Sequence, residues 1–441
     1  MRSYQVALET ITALVATTVA GLSLAMPIDF GWTSQTSALQ LDLLAYSLPR
    51  AVAAGVLVAM IVAVLLTTLG SVVMAWGTAL VALLVLLVNH LVGHSANPTD
   101  SLATMNFIDS LSGGAAMGAL GAAVLHHRLA AYGWTLGALV SLLLGSVNPL
   151  PHIGEMIGDY PDTWQAADMP PVWMVELAVA LVLIGTLLNR NRPPAARLSI
   201  ELPLAPILAG VVVVLVTLVS AEWLARHGDS LADLGLAVVT TVTTALIAAM
   251  LLPRRDGELV LVAVAISAVG SATIAAELPA WSIPVLVAIA AAGMWYGERH
   301  PAPMAGVLAL MVLGLVTAFT ADTDWALLIV GSGALLAWLA GYGLSAAKPR
   351  YVPSRVLGTM LLFVPSAVLG LRDYVARGHY AMQDGSQAIV CTVTTEDTSA
   401  PAWTSVLIAA GCAGGLYLLR RSRPAPATKP STPETGSAAT E

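Results

Sequence analysis

Fourteen segments of this chain are long and apolar enough to cross a lipid bilayer, and the polar stretches between them alternate in charge. Runs such as 51–69, 72–91, 204–224 and 234–252 each supply close to the ~20 apolar residues that a helix needs to span a 30 Å hydrocarbon layer. A chain built this way has few choices. The spacing predicts an all-α, polytopic integral membrane helical bundle with spans near 7–26, 51–69, 72–91, 107–125, 129–147, 172–188, 204–224, 234–252, 259–276, 281–296, 304–320, 325–344, 356–371 and 403–419. Residues 420–441, rich in Pro, Ser, Thr and Ala, lack the apolar content to fold and are expected to form a disordered cytoplasmic tail.

Charge orients the bundle. With fourteen crossings, one side collects Arg2, Arg128, Arg190, Arg192, Arg197, Arg254, Arg255, Arg299, Lys348, Arg350, Arg355, Arg420, Arg421, Arg423 and Lys429, which is fifteen of the nineteen basic residues, against seven acids. The other side keeps four bases and nineteen acids. Cytoplasmic loops hold the excess Lys and Arg, so both termini are expected in the cytoplasm. Seventeen Arg against two Lys, with abundant Ala, suggests a GC-rich bacterial genome, and the membrane is expected to be a bacterial inner membrane. The first run also has some features of an export signal, but Glu9 and the length of its apolar core favour a retained helix. Were it removed, thirteen spans would remain.

Composition excludes some functions. With 57% apolar and 10% charged residues the chain is not a soluble domain, and a formal charge of −7 with no basic patch argues against nucleic acid as a partner. The lipid bilayer is the expected partner, with a protein partner or homo-oligomer left open. No loop is long enough for a separate globular domain. No cofactor motif is present. Cys391 falls in an outer loop and Cys412 about halfway through the last span, too far apart for a disulfide.

Two features carry chemistry. The segment Ser110–Ala123 places Gly114, Gly118 and Gly121 on one helical face, either a sliding surface in a transporter or a static contact that lets a neighbouring backbone approach closely. Ionisable residues near membrane depth are Glu9, Asp109, Glu176 and Glu222, with Asn89 and His90 at the end of the third span. Their positions near span ends suggest interfacial anchors. Asp109, which opens the glycine-faced helix, is the first candidate for substrate or ion coupling, and Glu176 is the second.

On the outer face, His152, Glu155, Asp159, Asp162 and Asp168, with Asp29 and Asp42, offer oxygen ligands. Acids also belong on the exported side as a mirror of the orientation rule, so no metal site is assigned. His126-His127-Arg128 reads as an orientation anchor, and the run Gln387–Thr395 as a strand or hairpin arm.

Helix number and orientation, with the Gly-rich fourth span, resemble the fourteen-helix drug exporters of the major facilitator superfamily. The resemblance is one of topology. Gly70-Ser71 stands where that family carries a Gly, Asp-Arg and basic cluster, and Gly137–Gly145 has no proline. Asp29, three residues beyond the first span, is placed as in polytopic glycosyltransferases that use lipid-linked sugars, which implies a carboxylate that deprotonates or orients an acceptor hydroxyl. The scarcity of deep charges favours a transporter or permease for a hydrophobic or amphiphilic molecule. An envelope-building enzyme with Asp29 at its site, and a noncatalytic membrane subunit, remain the alternatives.

Overall fold

The computed structural model describes residues 2–26, 38–95, 102–146, 169–191, 204–228, 230–273, 279–320, 326–377 and 399–424. Among them are the helices α1 (Arg2–Ala25), α2 (Ala38–Leu69), α3 (Val72–Ser95), α4 (Leu102–Val124), α5 (Arg128–Gly145), α6 (Val172–Asn189), α7 (Ala205–Leu224) and α8 (Leu231–Leu251). These are followed by α9 (Glu258–Thr273), α10 (Ile283–Arg299), α11 (Pro303–Phe319), α12 (Ala326–Ala346), α13 (Val352–Met360), α14 (Ala367–Arg377) and α15 (Ala400–Ser422). No strand occurs among the described residues. Ten of the helices are long and apolar enough to cross a membrane, and α9 and α11 are apolar but shorter. The protein is an all-α polytopic membrane bundle.

Local chemistry sets the helix ends. Pro206, Pro284, Pro303, Pro353 and Pro401 stand in the first turns of α7, α10, α11, α13 and α15, where the missing N–H costs nothing and φ is already helical. Ser230 caps α8 by accepting from the Ala232 N–H at 3.2 Å. Gly70 ends α2 at φ 67°, a left-handed cap, and its N–H returns to the Leu66 carbonyl. That one residue lets α3 start two positions later.

Glycine contacts show how the first six helices are arranged. Gly133 meets the Thr10 carbonyl, Gly137 meets Leu14, and Gly145 meets Met26, so α1 and α5 run in the same direction. Gly55 faces Ser110 and Gly118 faces Ala59, so α2 and α4 are also parallel, whereas Ser110 and Gly113 meet Leu24 and Ala20 and set α1 antiparallel to α4. Helix α4 is walled by α1, α2 and α3, and α3 also packs on α6. In the second group α9 packs against α11, α12 and α15, α10 against α12, and α7 against α8 and α14. The two groups meet where α2 touches α7 and α13, and where α5 touches α10.

Several boundaries differ from the sequence reading. Helix α2 begins at Ala38 rather than 51 and carries Pro49 inside it. Its Arg50, which looked like a loop charge, is held by Glu222, so the helix continues through it. Helix α4 begins at Leu102 rather than 107, and α15 extends through Ser422 rather than stopping at 419. The span assigned to 356–371 is two helices, α13 and α14, with a break at 361–366. Pro365 has no N–H for the Leu361 carbonyl, and the last α13 bonds tighten to i+3 spacing at Leu362 and Phe363. Leu361, Phe363, Val364 and Ser366 in that break are buried in protein, away from lipid, a setting in which irregular backbone is tolerated at membrane depth.

Candidate functional site

The site is built on α3 and α4. Asn89 and His90 sit near the end of α3, and Asp109 lies two turns into α4. The Asn89 side-chain amide donates to Asp109 Oδ1 at 2.7 Å and to the Met105 carbonyl at 3.1 Å, which pins the carboxylate against α3. His90 Nδ1 lies 3.8 Å from Asp109 Oδ2 and 3.0 Å from the Leu86 carbonyl. A carbonyl only accepts, so Nδ1 carries the hydrogen and the other ring nitrogen is the one that gains a proton when the imidazole becomes charged. Both side chains are 0% exposed.

This placement corrects the interfacial reading of Asp109, His90, Asn89 and Glu9. All four are enclosed by protein; Glu9 is 6% and Asn89 8% exposed. Distance from a span end measures depth along a helix axis but not the direction a side chain takes around it, and α4 is surrounded on three sides. Asn106, one turn before Asp109, is buried as well. Glu176, the second coupling candidate, is exposed on α6 and is not brought to this cluster. Glu222 is at the end of α7, and Arg50 donates to both its oxygens, at 2.8 and 3.1 Å.

The three glycines serve as close-approach points. At Gly114 a methyl group would collide with the Gly55 backbone, at Gly118 with that of Ala59, and at Gly121 with Val356 of α13 and more loosely with Trp134. The first two bring α4 against α2, while Gly113, one position earlier, brings it against α1. The same helix thus seats three neighbours and presents Asp109 to a fourth, α3.

Two cavities flank the bundle. An open groove of about 340 Å³ is lined by Ser47 of α2 and by Ala103, Thr104, Phe107, Ile108 and Leu111 of α4, on the opposite side of α4 from Asp109. A small cavity of about 20 Å³ lies at the α13 to α14 break, among Thr217, Thr241, Ser267, Ser366 and apolar neighbours. Hydroxyls gather there. Ser366 donates to Ser271 Oγ at 2.8 Å and accepts the Leu369 N–H, capping α14, and Arg372 donates to the Ser271 carbonyl. The spacing of Thr217 with Ser220, Ser267 with Ser271, and the Pro365-Ser366 pair in an unusually short span were the available signals, and sequence reasoning passed over them.

At one end of the bundle charges are joined in a chain. Arg128 of α5 and Lys348 both bind Glu298 of α10. Asp256 accepts the backbone N–H groups of Arg350 and Tyr351, Arg420 pairs with Glu258, and Arg423 donates to the Met250, Leu252 and Arg254 carbonyls at the end of α8. Every residue in this chain of contacts belongs to the side that charge counting calls cytoplasmic. Burial pushes the Asp256 carboxyl above its ordinary range, against the two N–H groups that favour its charged form.

Asp29, the outer acids between 152 and 168, Cys391 and the 387–395 run lie outside the described residues, as does the tail from 425. Cys412 is free and buried. Among the described residues no three His, Cys, Asp or Glu side chains gather as metal ligands. No protein-family model matches the chain, and no curated protein sequence resembles it closely enough to count as a relative.

Proposed function

We propose that this chain is a proton-coupled permease of a bacterial inner membrane, with its arginine-rich end in the cytoplasm, that moves a small amphiphilic molecule. The reading is carried by the enclosed Asp109–His90 pair. An isolated charge in a dry interior is costly, and a carboxyl beside an imidazole avoids that cost only while the two together hold one proton more than the bare carboxylate and neutral ring. Enclosed, the pair is loaded and net neutral. Releasing the proton leaves a net negative charge in a site that no solvent reaches, so proton exchange is tied to the opening of the helices around it. Intramembrane ionisable groups with a named partner are the usual location of such coupling.

The substrate class is supported by the groove beside α4, whose lining is apolar apart from Ser47 and Thr104, and whose size suits a small molecule. The discontinuous α13 and α14 between the two helix groups adds a place where backbone bends without breaking a continuous helix ladder.

Infrared difference spectroscopy across a pH step, on the purified chain in nanodiscs, tests the first claim. A carboxyl C=O band or an imidazolium ring band that disappears in Asp109→Asn supports it, and a wild-type spectrum with neither band refutes it. Comparing small molecules and lipids on each side of the membrane in cells that lack the protein, carry it, or carry Asp109→Asn tests transport. Wild type should restore a distribution that the variant does not, and identical distributions in all three would reject the permease.

A further inference from the structure

We infer that two ion-pair latches, Arg50–Glu222 at one end and Arg128–Glu298–Lys348 at the other, hold the two helix groups together and work in opposition, each opening as the other tightens. This rests on the permease reading and adds its gates. Both latches cross the same division. Arg50 lies on α2 and Arg128 on α5, both in the first group, while Glu222 lies on α7, Glu298 on α10 and Lys348 just after α12, all in the second. They sit at opposite ends, because α2 runs parallel to α4, Arg50 is near the start of its apolar stretch, and Arg128 begins α5 four positions after the last residue of α4.

The outer latch is level with the site. Gly55 meets Ser110 on the parallel α4, so Arg50, five residues earlier, stands beside the turn that carries Met105 to Asp109. Parting α2 from α7 there would open the bundle at the depth of the Asp109–His90 pair. At the opposite end Arg355 of α13 reinforces the closure by donating to Thr135 Oγ1 of α5 at 3.2 Å. Between the latches the groups meet at the α13 to α14 break, where Phe363 lies 3.3 Å from the Cβ position of Gly21 on α1, which forms a fulcrum. Both latches are closed in this structure. The cationic partners are exposed, 55% at Arg50 and 77% at Arg128, so water can take over from the carboxylate when either pair parts.

Hydrogen–deuterium exchange on the full chain in nanodiscs tests the idea, reading peptides over 46–55 and 219–224 at one end and 128–135 and 293–299 at the other. Glu222→Gln should speed exchange at the first end by roughly two- to fivefold, the range expected for loss of an exposed pair, and slow it at the second. Glu298→Gln should do the reverse, and the swapped pair Arg50→Glu with Glu222→Arg should return the wild-type pattern. Faster exchange at the mutated end with the far end unchanged would show ordinary structural ion pairs and overturn the inference, as would faster exchange at both ends or failure of the swap. The readout does not depend on the proton at Asp109. Reciprocal exchange with neither a titrating carboxyl nor a titrating imidazolium band would therefore overturn proton coupling alone, and a titrating band with purely local exchange would overturn the latches alone.

Discussion

Asp109 Oδ2 lies 3.8 Å from His90 Nδ1 with neither side chain touching solvent, and Asn89 holds the other carboxylate oxygen at 2.7 Å. The arrangement makes stability depend on what replaces the carboxyl. Asp109→Asn keeps an oxygen for the Asn89 amide, whereas Asp109→Leu keeps the branch at the γ carbon in a larger side chain and removes the acceptor. The leucine variant should be less stable than the asparagine variant by about 1–3 kcal/mol, the cost of a buried donor losing its partner. Equilibrium unfolding in mixed detergent micelles would give the order, and equal stabilities would contradict the geometry.

Gly118 faces the Ala59 backbone, while Gly331 on α12 has open space where a side chain would go. Gly118→Ala should therefore destabilise by ~1–3 kcal/mol through overpacking. Gly331→Ala should be neutral or stabilising by up to ~1 kcal/mol through helix propensity. Thermal unfolding of the two variants side by side separates a packed glycine from a passive one.

At the helix break, Ser366 Oγ accepts the Leu369 N–H, but the buried Thr241 hydroxyl has no partner among the described residues. Removing the first should cost about 1 kcal/mol, as loss of an N-cap usually does. Removing the second, in Thr241→Val, should cost nothing or stabilise, because no hydrogen bond is lost and an unsatisfied group leaves the interior. A thermal midpoint that fell as far in Thr241→Val as in Ser366→Ala would show that the threonine has a bond the structure lacks.

Asp256 joins α8 to α9 outside the membrane-spanning segments, and burial raises its proton affinity above the ordinary value of 3.8. The folded state therefore holds this proton to higher pH than the unfolded state. Its contribution is most favourable below 3.8 and declines as pH rises through the interval up to the folded value. Asp256→Asn should flatten that decline, measurable as the pH dependence of the unfolding midpoint in detergent, and an unchanged slope would assign it to another group.

Sidedness has a direct chemical test. In a Cys391→Ser background, Asn191→Cys, in the turn after α6 beside Arg190, should resist a membrane-impermeant maleimide in intact cells and react in inverted vesicles. Labelling from outside would reverse the orientation and place the arginine-rich end away from the cytoplasm.

Membrane residence, helical class and the grouping of charges by side were all legible in the order of residues, because lipid makes hydropathy along a single segment nearly decisive. The grouping carried unusual detail: Arg128, Glu298, Lys348, Asp256, Arg350, Glu258 and Arg420 were assigned to one side by counting, and they are the residues that touch one another. Packing roles were half legible. Gly114 and Gly118 announced a close approach, but not that α2 would be the neighbour or that Gly121 would face α13 instead. What only the tertiary structure decided was the rotation of each helix about its axis and the identity of its neighbours. Asp109 looked interfacial because sequence records depth, and it is buried because α1, α2 and α3 close around α4. Arg50 looked like a loop residue because its partner lies 172 positions away, and Pro365 breaks a span whose average hydropathy gives no sign of it. Hydropathy is a property each residue has alone, whereas enclosure, pairing and the placement of a break depend on contacts between segments distant in the chain.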